Sequence, residues 1–339
     1  LIPSHKYSKY STTAFEEQLY EAAFYASSGD EAFLHFTFSE THLAFFKKEF
    51  EDVKKRVSKK TKTNFNISYS FQKKKTDTIA VSQENKPFRD GKGELIFRPS
   101  GHGALLENLN EVDADVIFIK NIDNVVVEEL VEEIVFYKKV LAGKLIRLQS
   151  KIFNYIRLFL KEEYNEETIK EVKSFLWNEL NIKNIPESID GMIALLNRPT
   201  RVCGVVKNTG APGGGPFWVK NVIGNSSLQI VEMAQIDIHD PRQQSIVNEA
   251  THFNPVDIVC GVRDYNGEKF DLTDFTDPDS GFISIKSQEG KSIKALELPG
   301  LWNGAMANWN TALVEVPLCT FNPVKTINDL LSNEHRSKI

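Results

Sequence analysis

Three short stretches hold the side chains best suited to chemistry. Lys120-Asn121-Ile122-Asp123-Asn124 directly follows the apolar run Val116-Ile117-Phe118-Ile119. In open parallel sheets, ligands bind beyond the C-terminal ends of the strands. A carboxylate and an amide placed there can hold a hard cation such as Mg²⁺, which takes oxygen ligands and keeps several waters. An Asp/Asn turn is the alternative reading. The second stretch is Arg98 to Glu107, where Gly101 and Gly103 bracket His102. Glycines let backbone approach a ligand closely, and the apolar run that follows would open a helix whose N-terminus favours an anion or a base edge. A plain turn explains the same residues. The third is Pro323-Val324-Lys325, ahead of the short helical pattern Thr326 to Leu331. A lysine so placed can meet a phosphate as a point charge, or stand as an ordinary surface lysine.

Alternating strands and helices must position these groups. Phe15 to Ala26 has helical spacing with Thr12 or Thr13 as cap, Phe33 to Phe38 alternates like a strand, His42 to Val57 returns to helix, and Asn66 to Phe71 is again a strand. Val116 to Ile119 has the continuous apolar character of a strand buried on both faces. This alternation predicts a mixed, mostly parallel sheet with flanking helices. From about Val127 to Glu163 there is no proline, and leucines and isoleucines recur every three or four residues, which predicts a long helix or a kinked pair. Further helices are expected from Glu166 to Leu180 and from Ser188 onward. Residues 127–198 therefore read as a helical insertion, more simply a packing or dimer face than a cofactor site. It separates an α/β part, 1–126, from a strand-rich part, 199–339. That last part carries strands at Arg201 to Lys207, Phe217 to Lys220, Leu228 to Glu232 and Leu313 to Val316. Two features stay open between roles: Lys73-Lys74-Lys75 as solvated face or phosphate site, and Trp302 to Trp309 as packed loop or ligand wall.

Composition narrows the function. Of 339 residues, 41% are hydrophobic and 26% charged, with a net charge of -5. That is a globular composition without the positive field a general nucleic-acid binder needs. No stretch approaches the roughly 18 apolar residues that would suggest a transmembrane helix. The three cysteines, Cys203, Cys260 and Cys319, are far apart and suggest a reducing compartment, most simply the cytoplasm.

Taken in order, the segments resemble the UDP-sugar pyrophosphorylase superfamily, which includes the UDP-glucose and UDP-N-acetylglucosamine pyrophosphorylases. The matching residues are Phe36 to His42 with Phe45-Phe46, Phe71-Gln72, Pro99 to Leu106, Ile122-Asp123-Asn124, Gly204-Val205-Val206, Ile230-Val231-Glu232, Phe253-Asn254, and the closing Val316-Pro317, Phe321 to Lys325 and Asp329-Leu330-Leu331. Phe97 to Val125 and Leu296 to Leu331 are most similar to a bacterial domain-of-unknown-function family (4301), common in Bacteroidetes.

The resemblance implies a GT-A-like fold and a Mg²⁺-dependent nucleotidyltransferase. Such an enzyme joins a nucleoside triphosphate and a sugar 1-phosphate into a nucleotide-sugar, a UDP-sugar first of all. It implies Asp123 as metal ligand and Lys325 as the phosphate-neutralising group. Gln72, Gly101, His102 and Gly103 would sit on the nucleotide side, and Gly204, Asn208, Glu232 and Asn254 on the sugar side, with Lys207 near. His252, beside Phe253, would serve the site or simply fill the core. Two departures stand out. The superfamily's opening Gly-rich phosphate loop is absent from these residues, so a segment is expected to precede Leu1, and the isolated chain is expected to be weakened or inactive without it. Gly210 to Pro216 is richer in glycine and proline than the usual loop, which leaves room for a different sugar or acceptor. The alternatives are a GT-A glycosyltransferase, for which Asp113-Ala114-Asp115 would supply a second metal carboxylate, and a non-catalytic nucleotide-sugar-binding protein.

Overall fold

The N-terminal quarter shows how the apolar pattern becomes structure. The computed structural model describes residues 2–210, 213–221, 224–288 and 290–338, without the side chains of 254 and 255. A small antiparallel pair, β1 (Pro3–Lys6) and β2 (Ser11–Thr13), leads into α1 (Ala14–Ala22). The Thr13 side chain caps that helix by accepting from the Glu16 amide. β3 (Glu31–Phe38) and β4 (Asn64–Phe71) pair in parallel, joined by the crossover helix α2 (Leu43–Thr61). Their inward residues Leu34, Phe36, Phe65 and Ile67 pack with Phe15 and Leu19 of α1 and Val53 and Val57 of α2. The alternation seen in the sequence is this one-sided burial.

The main sheet is built later in the chain. α3 (Leu106–Glu111) precedes β5 (Ile117–Ile119). Then come α4 (Val131–Leu160), α5 (Glu166–Asn178) and α6 (Ile189–Leu196), and after them β6 (Thr200–Lys207), β7 (Gly215–Lys220), β8 (Ser226–Val231), β9 (His252–Gly261), β10 (Phe282–Gln288), β11 (Lys291–Glu297) and β12 (Asn310–Glu315). The central sheet runs β12-β6-β9-β5. β6 pairs with β12 in parallel and with β9 antiparallel.

The mixed α/β architecture is as expected, with a smaller parallel share: only β3–β4 and β6–β12 pair in parallel among the described strands. The reason is connectivity. β7–β8 and β10–β11 are hairpins, and hairpins pair antiparallel. The strand expected to be buried on both faces, β5, is instead the sheet edge and only half-buried. Ile117 and Ile119 pack toward α3 and the loops, while Val116 and Phe118 pack on the other side against the core built on α4.

α4 is one continuous 30-residue helix. Its leucine and isoleucine stripe, Leu141 to Ile156, shares a single core with α5, α6, β6, β9 and β12. Ser188 caps α6 through the Gly191 amide, as its sequence position suggested. No helix of the described residues is long and apolar enough to cross a membrane.

Candidate active site

The loop after β5 is stitched into place from both sides. Gln18 of α1 points its amide Nε2 at the carbonyls of Asn121, Ile122 and Asn124, at 3.3, 3.2 and 3.4 Å. Asn124 is buried and fully engaged: its Oδ1 accepts from the Asn322 amide at 2.8 Å and its Nδ2 donates to the Thr320 carbonyl at 3.1 Å. The Val324 amide donates to the Asp123 carbonyl at 3.0 Å. Asp329 caps the next turn by accepting from the amides of Lys325 and Thr326, at 2.8 and 2.6 Å.

These bonds bring Asp123 and Lys325 face to face across 202 residues of chain. Lys325 Nζ donates to Asp123 Oδ2 at 2.5 Å. The other carboxylate oxygen, Oδ1, is buried without a hydrogen-bond partner. A buried carboxylate oxygen left bare is costly, so the site favours a donor or cation there. Among the described residues no group of three or more His, Cys, Asp or Glu could hold a metal ion by itself. Asp123 could offer a single carboxylate to a hard cation, with no second acidic ligand grouped beside it among the described residues.

A second group forms around His102. Its ring lies against Trp302, with centroids 4.3 Å apart. Trp302 Nε1 donates to Glu232 Oε1 at 3.0 Å. His102 keeps solvent access, yet the crowding around it holds its pKa below the usual imidazole range; Glu232 and Glu297 pull the other way, and Lys325 assists the lowering. His102 thus sits within electrostatic reach of two carboxylates and of Lys325. Burial pushes Glu297 upward, but its bonds to Lys286 and Ser284 outweigh this and hold it below the usual carboxylate range. Trp302 is braced from beneath by Arg201, which is fully buried and donates to the Trp302 carbonyl at 2.6 Å and to Gln229 Oε1 at 2.8 Å.

The two glycines beside His102 are explained by packing. Gly101 has φ +72, and a Cβ there would lie 2.7 Å from Glu297 Oε2. A Cβ on Gly103 would lie 2.6 Å from both Leu298 Cβ and the Pro299 carbonyl. The close approach they permit in this structure is to the end of β11.

The remaining candidates stand elsewhere. Gln72 turns its amide toward Asp77 at 3.5 Å. Gly204 is inside the central sheet, 3.1 Å from Leu141 as measured from an added Cβ. Asn208 is exposed and accepts from the Gly210 amide at 2.8 Å. The side chain of Asn254 lies outside the described residues, as do Ala211 and Pro212 of the Gly/Pro loop. His252 and Lys207 both face Glu315, at 3.0 and 3.7 Å. Lys73 and Lys75 pair with Glu107, so that run closes onto α3. Asp113 and Asp115 are both held by Arg263. Gln18, Arg201 and Glu297 were invisible in the sequence, because each acts through a backbone or strand end far away in the chain. Of the Trp302 to Trp309 loop, Trp309 fills the core at 2% exposure, as the packed-loop reading expects, and Trp302 lies partly buried against His102.

The sheet and its helical cover form a UDP-sugar pyrophosphorylase-like fold. UDP-glucose pyrophosphorylase from Leishmania major, a point mutant solved in complex with UDP-glucose, superposes with a TM-score of 0.51 at 14% identity, over 99% of this chain and 62% of that one. A protein described as a UDP-N-acetylglucosamine pyrophosphorylase from Entamoeba histolytica gives 0.45 at 11% identity, over 94% of this chain and 70% of that one. The chain thus spans less than two thirds of the length of the Leishmania enzyme. No curated protein matches it in sequence. The chain itself belongs to the family described as Domain of unknown function (DUF4301), which it matches over residues 1–336.

Proposed function

We propose that this protein is a nucleotidyltransferase that forms a nucleotide-sugar, a UDP-sugar first of all, from a nucleoside triphosphate and a sugar 1-phosphate. The observation that carries the reading is the meeting of Asp123 and Lys325 within reach of the His102–Trp302–Glu232 group. In-line attack on an α-phosphorus needs charge neutralisation and alignment more than covalent help from the protein. Lys325 supplies a mobile positive charge for phosphate oxygens. His102 and Trp302 offer an aromatic edge and face for a flat ring. Glu232, with one oxygen on the Trp302 indole, presents a carboxylate to a hydroxyl donor. Asp123 would hold Mg²⁺, which would supply charge neutralisation for the phosphates.

The Asp123–Lys325 pair must part for this to happen. With a phosphate present, Lys325 exchanges a carboxylate for a phosphate and frees Oδ2 beside the bare Oδ1. The test is the thermal midpoint of the full-length protein with Mg²⁺ and a panel of nucleoside triphosphates and UDP-sugars. A ligand at a hundred times its dissociation constant adds about 2.7 kcal/mol. A shift with one nucleotide family, lost in Asp123→Ala, supports the reading and names the base. A shift with UDP-sugars but no release of pyrophosphate would make the protein a nucleotide-sugar binder. No shift at all overturns the proposal.

A further inference from the structure

α4 has two faces, and only one of them is used inside the chain. Its leucine and isoleucine stripe is buried in the core. The opposite face meets solvent with large apolar groups: Phe136 is 60% exposed and Ile146 57%. Between them lies Gly143. A Cβ there would have nothing within 4 Å, so no contact inside the chain asks for a glycine. A glycine in a helix interior is costly, because it loses more backbone freedom on folding than any other residue. From Glu132 to Arg157 one row of residues recurs in alternating steps of four and three, all exposed except the half-buried Phe153. That 3.5-residue period is the one with which a helix lies along another helix. Any exposed helix face carries such a row; this one is set apart by how it matches itself.

The match appears when a second copy is turned antiparallel about a two-fold axis level with the Lys144–Leu145 peptide. Residues at equal distances on either side of the axis then form layers. Glu132 faces the partner's Arg157, Phe136 faces the partner's Phe153, and Lys139 faces the partner's Ser150. Ile146 enters the space that the partner's Gly143 leaves open. By symmetry each layer occurs twice, with opposite charges at both ends, rings inside them and a large side chain against a small one at the centre. A parallel pair would instead set Glu132 on Glu132, Lys139 on Lys139 and Arg157 on Arg157, with two glycines facing one another. Charge therefore selects the antiparallel arrangement. The groups are free for it. Among the described residues Glu132 and Lys139 have no ion pair, and Arg157 has no carboxylate partner: it donates to the Tyr265 carbonyl at 2.5 Å and lies over the Phe153 ring at 6.0 Å.

We propose that the outer face of α4 is a self-association surface, on which a second copy of this chain packs antiparallel with Ile146 seated against Gly143. Nothing in this contact depends on the chemistry at Asp123 and Lys325. From Glu132 to Arg157 the helix rises about 38 Å. A strip of that length and about 10 Å wide covers roughly 400 Å² on each copy, the small end of specific interfaces. The dimer is therefore reversible and its population follows concentration.

The test is sedimentation equilibrium of the full-length protein from about 1 µM to about 100 µM, across which the wild type is expected to pass from monomer to dimer. Ile146→Lys is expected to stay monomeric, with an unchanged melting midpoint at the dilute end, because that side chain is exposed in the single chain. Glu132→Arg and Arg157→Glu are each expected to weaken association about tenfold, and the double variant to restore it, a rescue that requires the two residues to face each other. Cross-linking reads the direction. In a Cys319→Ser background, Phe136→Cys together with Phe153→Cys sets two thiols about 26 Å apart on one helix, too far for a disulfide within a chain, yet opposite one another between copies. Oxidised glutathione is expected to give a covalent dimer from that pair of substitutions and none from Phe136→Cys alone. A covalent dimer from Phe136→Cys alone would reveal a parallel pair and overturns the proposal. So does a dimer that Ile146→Lys leaves intact. A wild type that stays monomeric to about 100 µM also overturns it and leaves the face to another occupant. If Ile146→Lys does not fold, the charge exchange between Glu132 and Arg157 decides.

Discussion

Two clusters of opposite charge meet at the loop after β5, three residues apart, and they are built differently. Lys120 belongs to the inner one. Its Nζ lies 2.6 Å from Glu21, while Lys138 pairs with Asp257 and lies 3.6 Å from Glu21. All four side chains are nearly sealed from solvent, and Lys138 also lies over the Tyr25 ring at 5.0 Å. Burial opposes the charge on Lys138, but Asp257, Tyr25 and Glu21 outweigh it and keep the ammonium charged. Asp123 belongs to the outer cluster: one lysine, one occupied oxygen and one bare oxygen, with Lys325 largely in solvent. The inner cluster is complete and has nowhere to go. The outer one is incomplete and can change partners. The same attraction is structural where water is excluded and exchangeable where a long side chain reaches solvent.

Mutations can break this contrast. The largest effect is expected from Lys138→Met, which leaves Asp257 and Glu21 buried without their shared partner. It should cost about 3–5 kcal/mol in chemical denaturation. Lys325→Met should do the reverse. Stability should change by about 1 kcal/mol or less, since exposed pairs contribute little. Triphosphate affinity should fall by about a hundredfold in calorimetry, because a charge-assisted contact is lost. Free Mn²⁺ should bind that variant more tightly, because Asp123 no longer has an internal competitor; unchanged Mn²⁺ binding would show that the pair is not exchangeable. Gln18→Leu takes one donor from three loop carbonyls and should cost about 1–3 kcal/mol in stability while weakening triphosphate binding along with it. Trp302→Phe keeps a ring against His102 but removes the bond to Glu232. About 1 kcal/mol of stability is at stake, and the change should be read more clearly in UDP-sugar affinity than in the melting midpoint. The smallest effect is expected from Asp113→Asn with Asp115→Asn. Both face Arg263 at the surface, and the midpoint should move by the equivalent of about 0.5 kcal/mol or less. Loss of ligand binding in that double variant would revive a glycosyltransferase-like metal site.

Much of the frame was legible in the residues. The caps at Thr13 and Ser188, the crossover pattern of β3–α2–β4 and the stripe of α4 all follow from local spacing, and local spacing governs local structure. Asp123 and Lys325 could each be singled out, and each kept an ordinary reading. Their contact with each other was not legible, because 202 residues of chain separate a carboxylate from the ammonium that it meets. The glycines around His102 carry the opposite lesson. Gly-x-Gly announces a close approach, but the neighbour it admits is Glu297 to Pro299, which no local pattern names. The parallel share of the sheet was overestimated for a related reason. Apolar runs report burial, whereas strand direction depends on which strands become neighbours.

What the sequence determined by itself is therefore the set of elements and the chemical groups at their ends, since helix periodicity, capping and turn chemistry act over a few residues. The tertiary structure alone decided which of those groups meet. It drew Gln18 and Asn124 onto the two sides of one loop, set Arg201 under Trp302, and linked His5 to His335 across the whole chain. Such contacts depend on packing many elements at once, and the free energy that selects them is spread over a core no short segment contains.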